Sequence, residues 1–306
     1  MIANVKSKVA GRYRLRVYRD DGSLKEDTGW FDNLILDQGL DQIGSVSNSG
    51  VPFSEPILWA TGSVGTGSTA PATTDTQLEA WVATAGNYAG YVTSYVPAAG
   101  SAPAYWKCIH TYRFGAGVAA GNLTEVGVGI TNYDGTGLFS RALIVDGGGS
   151  PTTLVVTSTE ILDLTYEFRV YPDTTEEVQV LTINGTDYTF TWNMYQPTSV
   201  PTIYHAYING AGTFSSCDVS ITQTSSGSGG SRSYAPTSLG YSIGSYNRSY
   251  SVTSPTDPLY WGSTIGGMII STLHTKRLAA ISPALPVTSA QKIAVSFNVS
   301  WTRFTP

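Results

Sequence analysis

Short runs that alternate apolar and polar residues, each closed within a few positions by Gly, Asn, Asp or Pro, recur along the whole chain. That pattern constrains the fold more than any other feature, because a period of two puts one face of a strand in a core and the other in water. Tyr13 to Tyr18 alternates and ends at the Asp20-Asp21-Gly22 turn. Leu123 to Thr131 alternates around Val126, Val128 and Ile130, and Leu154 to Val156 and Ile161 to Tyr171 follow. Val178 to Ile183 runs into Asn184-Gly185, a pair suited to a type I′ hairpin because both residues tolerate positive φ. Tyr204 to Ile208 repeats the signal at Asn209-Gly210, and Ile293 to Phe304 closes the chain. Helical patterning is confined to a turn or two at Asn33 to Ile43 and at Asp75 to Ala85. Half-buried strands must pack face on face, so the sequence predicts an all-β protein of antiparallel, jelly-roll-like β-sandwiches.

With 306 residues, and about 150 residues to a domain, two tandem sandwiches are expected. We assign 1–11 to an N-terminal arm able to dock on a neighbour's sheet, 12–172 to the first sandwich and 173–306 to the second. Gly62 to Thr76 reads as a long surface loop and 222–233, with its SSGSGGS run, as a flexible loop. The stretch 234–261 is expected at a surface. The halves also align with each other. Pro151 to Tyr171 lies against Pro286 to Phe304, Ser140 to Leu143 against Lys276 to Ala279, and Val126 to Ile130 against Ile265 to Ile269; at the starts, Arg16-Val17, Asp21 to Ser23 and Trp30 to Leu34 lie against Gln179-Val180, Asn184 to Thr186 and Thr191 to Met194. This suggests an internal duplication.

Composition narrows the function. Seventeen Lys and Arg stand against 22 Asp and Glu, and 13% of residues are charged, about half the usual 25%. A mildly acidic chain without a basic run does not read as a nucleic-acid binder. No apolar run has the roughly 18 residues of a membrane helix, and the N-terminus has no signal-peptide core. Synthesis in a cytoplasm is the expectation. Sparse charge also leaves strand edges and faces poorly guarded, which favours cover by other copies.

Candidate chemistry is thin. Gly240 to Gly244 matches GxSxG, with Asp257 and His274 following in hydrolase order, but no helix signal follows Ser242. His110, His205 and His274 are scattered, and Cys108 and Cys217 read as buried thiols or as one bridge between subunits. Glu125, Glu160, Glu167, Glu176 and Glu177 form no constellation by spacing. No catalytic, cofactor or metal residue is assigned. Aromatics in loops are interface anchors or sugar platforms, so Tyr234, Tyr241, Tyr246, Tyr250, Tyr260 and Trp261 are the candidate interface or glycan-contacting residues.

Two stretches carry a resemblance. Leu123-Thr124-Glu125-Val126-Gly127-Val128, with Asp134-Gly135 and Leu138-Phe139-Ser140-Arg141-Ala142-Leu143-Ile144, is similar to a motif of tailed-bacteriophage tail-fibre, collar and related virion proteins. Trp30 to Asp41 resembles the F-N-N-L-I-T-D-x-G-L stretch near the start of such proteins. Together they cover about a tenth of the chain. The family has no common active site, and this chain lacks a collagen-like or coiled-coil shaft. The resemblance implies a virion structural protein, made in the host bacterial cytoplasm, that forms homo-oligomers and docks onto other phage proteins in the tail, baseplate, collar or fibre attachment. The alternative it implies is a tail module that recognises a host-surface glycan.

Overall fold

Most of the alternating runs become strands in the computed structural model, which describes residues 2–45, 59–129, 135–194, 218–222, 231–234, 236–254, 264–271, 276–288 and 290–305. The chain is all-β, of sandwich type, with one short helix among the described residues. Two compact units form. The N-terminal unit is built from described residues of Val9–Val170 and Thr302–Pro306, and the C-terminal unit from those of Met1–Lys8, Tyr171–Tyr204 and Phe214–Trp301.

From Ile2 to Pro172 the elements are β1 (Ile2–Tyr18), β2 (Leu24–Asp27), β3 (Phe31–Asp32), β4 (Leu34–Ile35), α1 (Asp37–Ser45), β5 (Thr61–Gly65), β6 (Trp81–Val96), β7 (Tyr105–Phe114), β8 (Gly121–Leu123), β9 (Glu125–Gly129), β10 (Leu138–Leu143), β11 (Leu154–Val156) and β12 (Ile161–Pro172), with Val9–Val170 in the N-terminal unit. Their order is β1-β12-β7-β6-β5-β9-β10-β4, with β2 and β3 on β1. The first half of β6 pairs with β5 and the second half with β7, with a register shift between Asn87 and Tyr91. β6 thereby belongs to both layers. Tyr13 of β1 reaches Ser140 of β10 at 2.6 Å, and Gly62 of β5 lies against the Tyr112 ring, so the layers face each other across a shared core. Trp59, Tyr13, Tyr112, Phe114, Phe139 and Tyr166 fill it. Trp59 packs on Phe168 at 4.6 Å and edge-on to Phe139 at 5.5 Å. Each such side chain stabilises by about 1.5–3 kcal/mol when fully buried.

The C-terminal unit adds β13 (Glu177–Ile183), β14 (Thr186–Met194), β15 (Asp218–Thr222), β16 (Ser231–Tyr234), β17 (Thr237–Tyr241), β18 (Asn247–Thr253), β19 (Thr264–Ser271), β20 (Lys276–Pro286) and β21 (Ala294–Arg303). Six form one sheet, β13-β14-β20-β19-β15-β16, and β17-β18-β21 are consecutive in another. Asn184 (φ 51) and Gly185 (φ 80) make the β13–β14 turn the sequence predicts. In β21 the residues Val295, Phe297, Val299 and Trp301 are buried, as their alternation requires.

The two units repeat a strand order. β4-β10-β9-β5-β6 matches β14-β20-β19-β15-β16, and β6-β7-β12 matches β17-β18-β21. In these ladders Arg141 opposes Leu34, and Arg277 opposes Met194. The glycine-bearing strands align four residues out of step, since Arg141 opposes Gly127 but Arg277 opposes Ile270.

Several expectations are corrected. The helix forms at Asp37–Ser45, with Leu36, Leu40 and Ile43 buried, but 75–85 is not helical. The Glu79 and Ala80 amides, which a helix would give to backbone carbonyls, go to the Glu125 carboxylate. Part of the expected 62–76 loop is β5, buried throughout between β6 and β9. The ends of the expected 222–233 loop are strand, with Thr222 opposite Ser231; its centre lies outside the described residues. Residues of the expected arm belong to β1, where Val5 and Val9 are buried. The 234–261 stretch supplies buried Arg248, Tyr250, Val252 and Ser254 rather than surface alone.

Candidate functional site

The aromatic candidates do not converge. Tyr250 is buried, stacked on Phe297 at 5.2 Å and 13°, so it is a core residue and not a contact residue. Tyr234 sits on β16 opposite Val219, and Tyr246 occupies the turn before β18 with φ 49. Tyr260 and Trp261 lie outside the described residues. Tyr241 is different. It closes β17, stacks on Trp301 at 5.8 Å and 21°, and lines an open cleft of about 380 Å³ with Leu239, Ser242, Ser245, Asn247 and Ser249. Hydroxyls, one carboxamide and one phenol ring make an uncharged polar lining. Ser249 meets Asn298 at 2.7 Å, and Asn247 Nδ2 donates to the Ser245 carbonyl at 2.8 Å. Such a lining suits a neutral polyhydroxylated ligand better than an ion.

The GxSxG match lies on this hairpin. Ser242 is exposed in a strand–turn–strand, whereas the nucleophile elbow needs a strand leading into a helix. Asp257 and His274 lie outside the described residues, as do Cys217 and His205.

Cys108 and His110 lie together in the N-terminal core. Cys108 Sγ is 3.2 Å from His110 Nε2, and Trp59 Nε1 donates to the same nitrogen. Cys108 is a free thiol. Burial pushes the thiol up and drives His110 down to about 3, so both are neutral and sealed from solvent. A nucleophilic pair needs a thiolate and access, and this pair has neither. Among the described residues no three His, Cys, Asp or Glu side chains are placed to hold a metal, and no helix is long and apolar enough to cross a membrane.

The densest polar cluster surrounds Arg141, which spacing did not reveal. Glu125 opens β9 and accepts the amides of Gly67, Glu79 and Ala80 at 3.0, 3.1 and 2.8 Å. Arg141 on β10 donates to Glu125 at 2.9 Å, to Asp75 at 2.6 Å and to the Thr69 carbonyl at 3.1 Å. Together they staple 66–80 onto the sheet, beside a cleft of about 480 Å³ lined by Thr69, Thr74, Asp75, Thr76, Gln77 and Arg141. The signal was a lone Arg inside the apolar run Leu138 to Leu143, and a Glu opening another such run.

This cluster explains what the two resemblance stretches do. The Glu of one strand and the Arg of the next are each other's partners. The Trp30 to Asp41 stretch docks on the same strand: Leu36 N–H donates to the Phe139 carbonyl at 3.0 Å, and Gln38 Nε2 to the Leu138 carbonyl at 2.7 Å. A Cβ on Gly39 would collide with the Phe139 carbonyl. The motif residues hold the sandwich together rather than presenting a reactive group. Comparison with family models, curated proteins and solved structures returned no match.

Proposed function

We propose that this chain is a non-enzymatic structural component of a tailed-phage particle, descended from a duplicated sandwich, that self-associates and docks onto other virion proteins through β faces. One observation carries the reading. The outward face of the six-stranded sheet has an uncharged centre across four strands, bounded at the β13–β14 turn by Asp187, which pairs with Thr182. Val178 and Val180 oppose Thr191 and Thr189; those oppose Ala280 and Ser282; Ala280 opposes Gly267, and Leu278 opposes Ile269. Val178 and Val180 are each 57% exposed, while the alternate residues Phe190, Trp192, Ile281 and Met268 are buried on the other face. A flat Val/Thr/Ala surface of this kind is a liability in a lone molecule and an interface in an assembly. Contacts made without ion pairs also vary little with salt, which suits a particle outside the cell. The similarity of the Leu123 to Ile144 and Trp30 to Asp41 stretches to virion proteins points the same way.

Native mass spectrometry tests the assembly. A discrete homo-oligomer is expected, dissociated by Val178→Asp with Val180→Asp at unchanged circular dichroism; a monomer at micromolar concentration defeats it. Peptide mass spectrometry of purified particles tests the location. A second reading, recognition of a neutral host-surface glycan, has the Tyr241 cleft in its favour. Saturable glycan-array binding lost in Tyr241→Ala would promote it.

A further inference from the structure

We infer that the outer face of the β1-β12-β7 layer is a binding surface for an acidic, carboxylate-bearing polysaccharide. Tyr13, Leu15 and Val17 of β1 point into the core, so Arg12, Arg14 and Arg16 share the outward face. The same alternation puts Glu167 and Arg169 of β12 and Lys107 and Arg113 of β7 outward, with Arg169 opposite Lys107.

Three cations converge on one carboxylate. Arg12 Nε and Arg169 Nε lie 2.9 and 2.7 Å from Glu167 Oε1, and Lys107 Nζ lies 3.4 Å from Oε2. Burial would raise the Glu167 carboxyl, but Arg12 and Arg169 hold it below its ordinary range, so it is ionised. On either side, Arg14 and Arg16 share Asp27, and Arg113 pairs with Asp163. Asp32 stands opposite Arg12. Among the described residues, six cations therefore face four carboxylates there, an excess of two positive charges in a chain whose net charge is −5.

The cations are also held in place. The Arg12 guanidinium lies over the Trp30 ring at 4.5 Å and that of Arg169 over Tyr105 at 4.7 Å. Cation–π stacking on fixed strands lowers the entropy lost on binding. The excess is sparse, two charges over three strands about 4.8 Å apart. It matches a polymer carrying one carboxylate per sugar better than the dense phosphates of nucleic acid. The strands that carry this surface are not those of the proposed assembly face. Its failure would leave the assembly reading standing, because assembly is read by mass and this by polysaccharide binding.

Affinity electrophoresis or biolayer interferometry of the full chain would use alginate as the probe, with neutral dextran and oligo(dT) as comparators. Alginate should bind, weaken with salt, and bind about tenfold less well to Arg12→Gln with Arg169→Gln, at several-fold per charge lost near a polyanion. Glu167→Gln deletes the internal competitor and should bind about fivefold tighter; a merely structural Glu167 predicts equal or weaker binding. Should the double variant misfold, Arg14→Gln with Arg16→Gln, on the more exposed margin, decides through the same weakening. Dextran binding as well as alginate, oligo(dT) binding more tightly, or variants that bind as wild type does would each overturn the inference.

Discussion

Arg141, opposite Leu34 in one unit, and Arg277, opposite Met194 in the other, are both almost wholly buried, yet their charges are met differently. Arg141 has carboxylates in contact, Glu125 at 2.8 Å and Asp75 at 2.6 Å. Arg277 is met mainly by backbone carbonyls: Asn4 at 3.1 Å, Thr175 at 2.5 Å and Trp192 at 3.3 Å, with Glu177 at 3.7 Å. One site is a buried ion pair that organises a loop. The other is a cation tying strand ends together. A long buried donor reaching across strands can therefore be compensated by carboxylates in one place and by backbone carbonyls in another.

The largest expected effect separates these sites. Arg141→Met strands the buried Glu125 carboxylate and should cost about 3–5 kcal/mol. Arg277→Met leaves carbonyls short of a donor but no buried anion, because Glu177 keeps Lys6; about 1–3 kcal/mol is expected. Urea denaturation of the two variants decides it, and equal losses would break the comparison. Adding Glu125→Gln to Arg141→Met should recover part of the loss, since no buried charge then remains.

The N-terminal core has an acid response of its own. The N-terminal core encloses His110, whose protonation burial pushes down to about 3. An unfolded His titrates near 6.5, so the unfolded chain binds the extra proton first as pH falls. The stabilisation is complete above 6.5 and is lost progressively towards 3. Between pH 6.5 and 4 the loss is about 3 kcal/mol. His110→Gln should flatten that slope in denaturation curves taken across the window, and a slope unchanged by the substitution would remove His110 as its source.

Period-two patterning made the strands and the sandwich legible, and Asn184-Gly185 made one hairpin legible to the residue. Charge was harder to read. Glu125 and Arg141 lie 16 positions apart, and Arg12 and Glu167 lie 155 apart; nothing local encodes pairings made across sheets. The expected helix at 75–85 failed for the same reason, since a remote carboxylate captured its amides. Among the aromatics, composition marked a Tyr-rich stretch but could not tell core from cleft. Tyr250 and Tyr241 lie in similar surroundings in sequence, and register alone sends one inward and leaves the other at the cleft.

The smallest expected effect belongs to Glu177, whose two cations in the C-terminal unit differ in burial. Lys6 reaches it at 3.4 Å with its side chain 53% exposed, so water screens the pair. Arg277 lies 3.7 Å away and is buried. Lys6→Ala should therefore cost well under about 1 kcal/mol, and less in high salt. If Lys6→Ala instead destabilises as strongly as Arg277→Met, the Arg277 site depends on a carboxylate network after all. Its contrast with Arg141 would then shrink to one of distance. A double-mutant cycle of Lys6→Ala with Arg277→Met reads this directly: additive losses keep the carbonyl cage as the main compensation, and strong coupling assigns that part to Glu177.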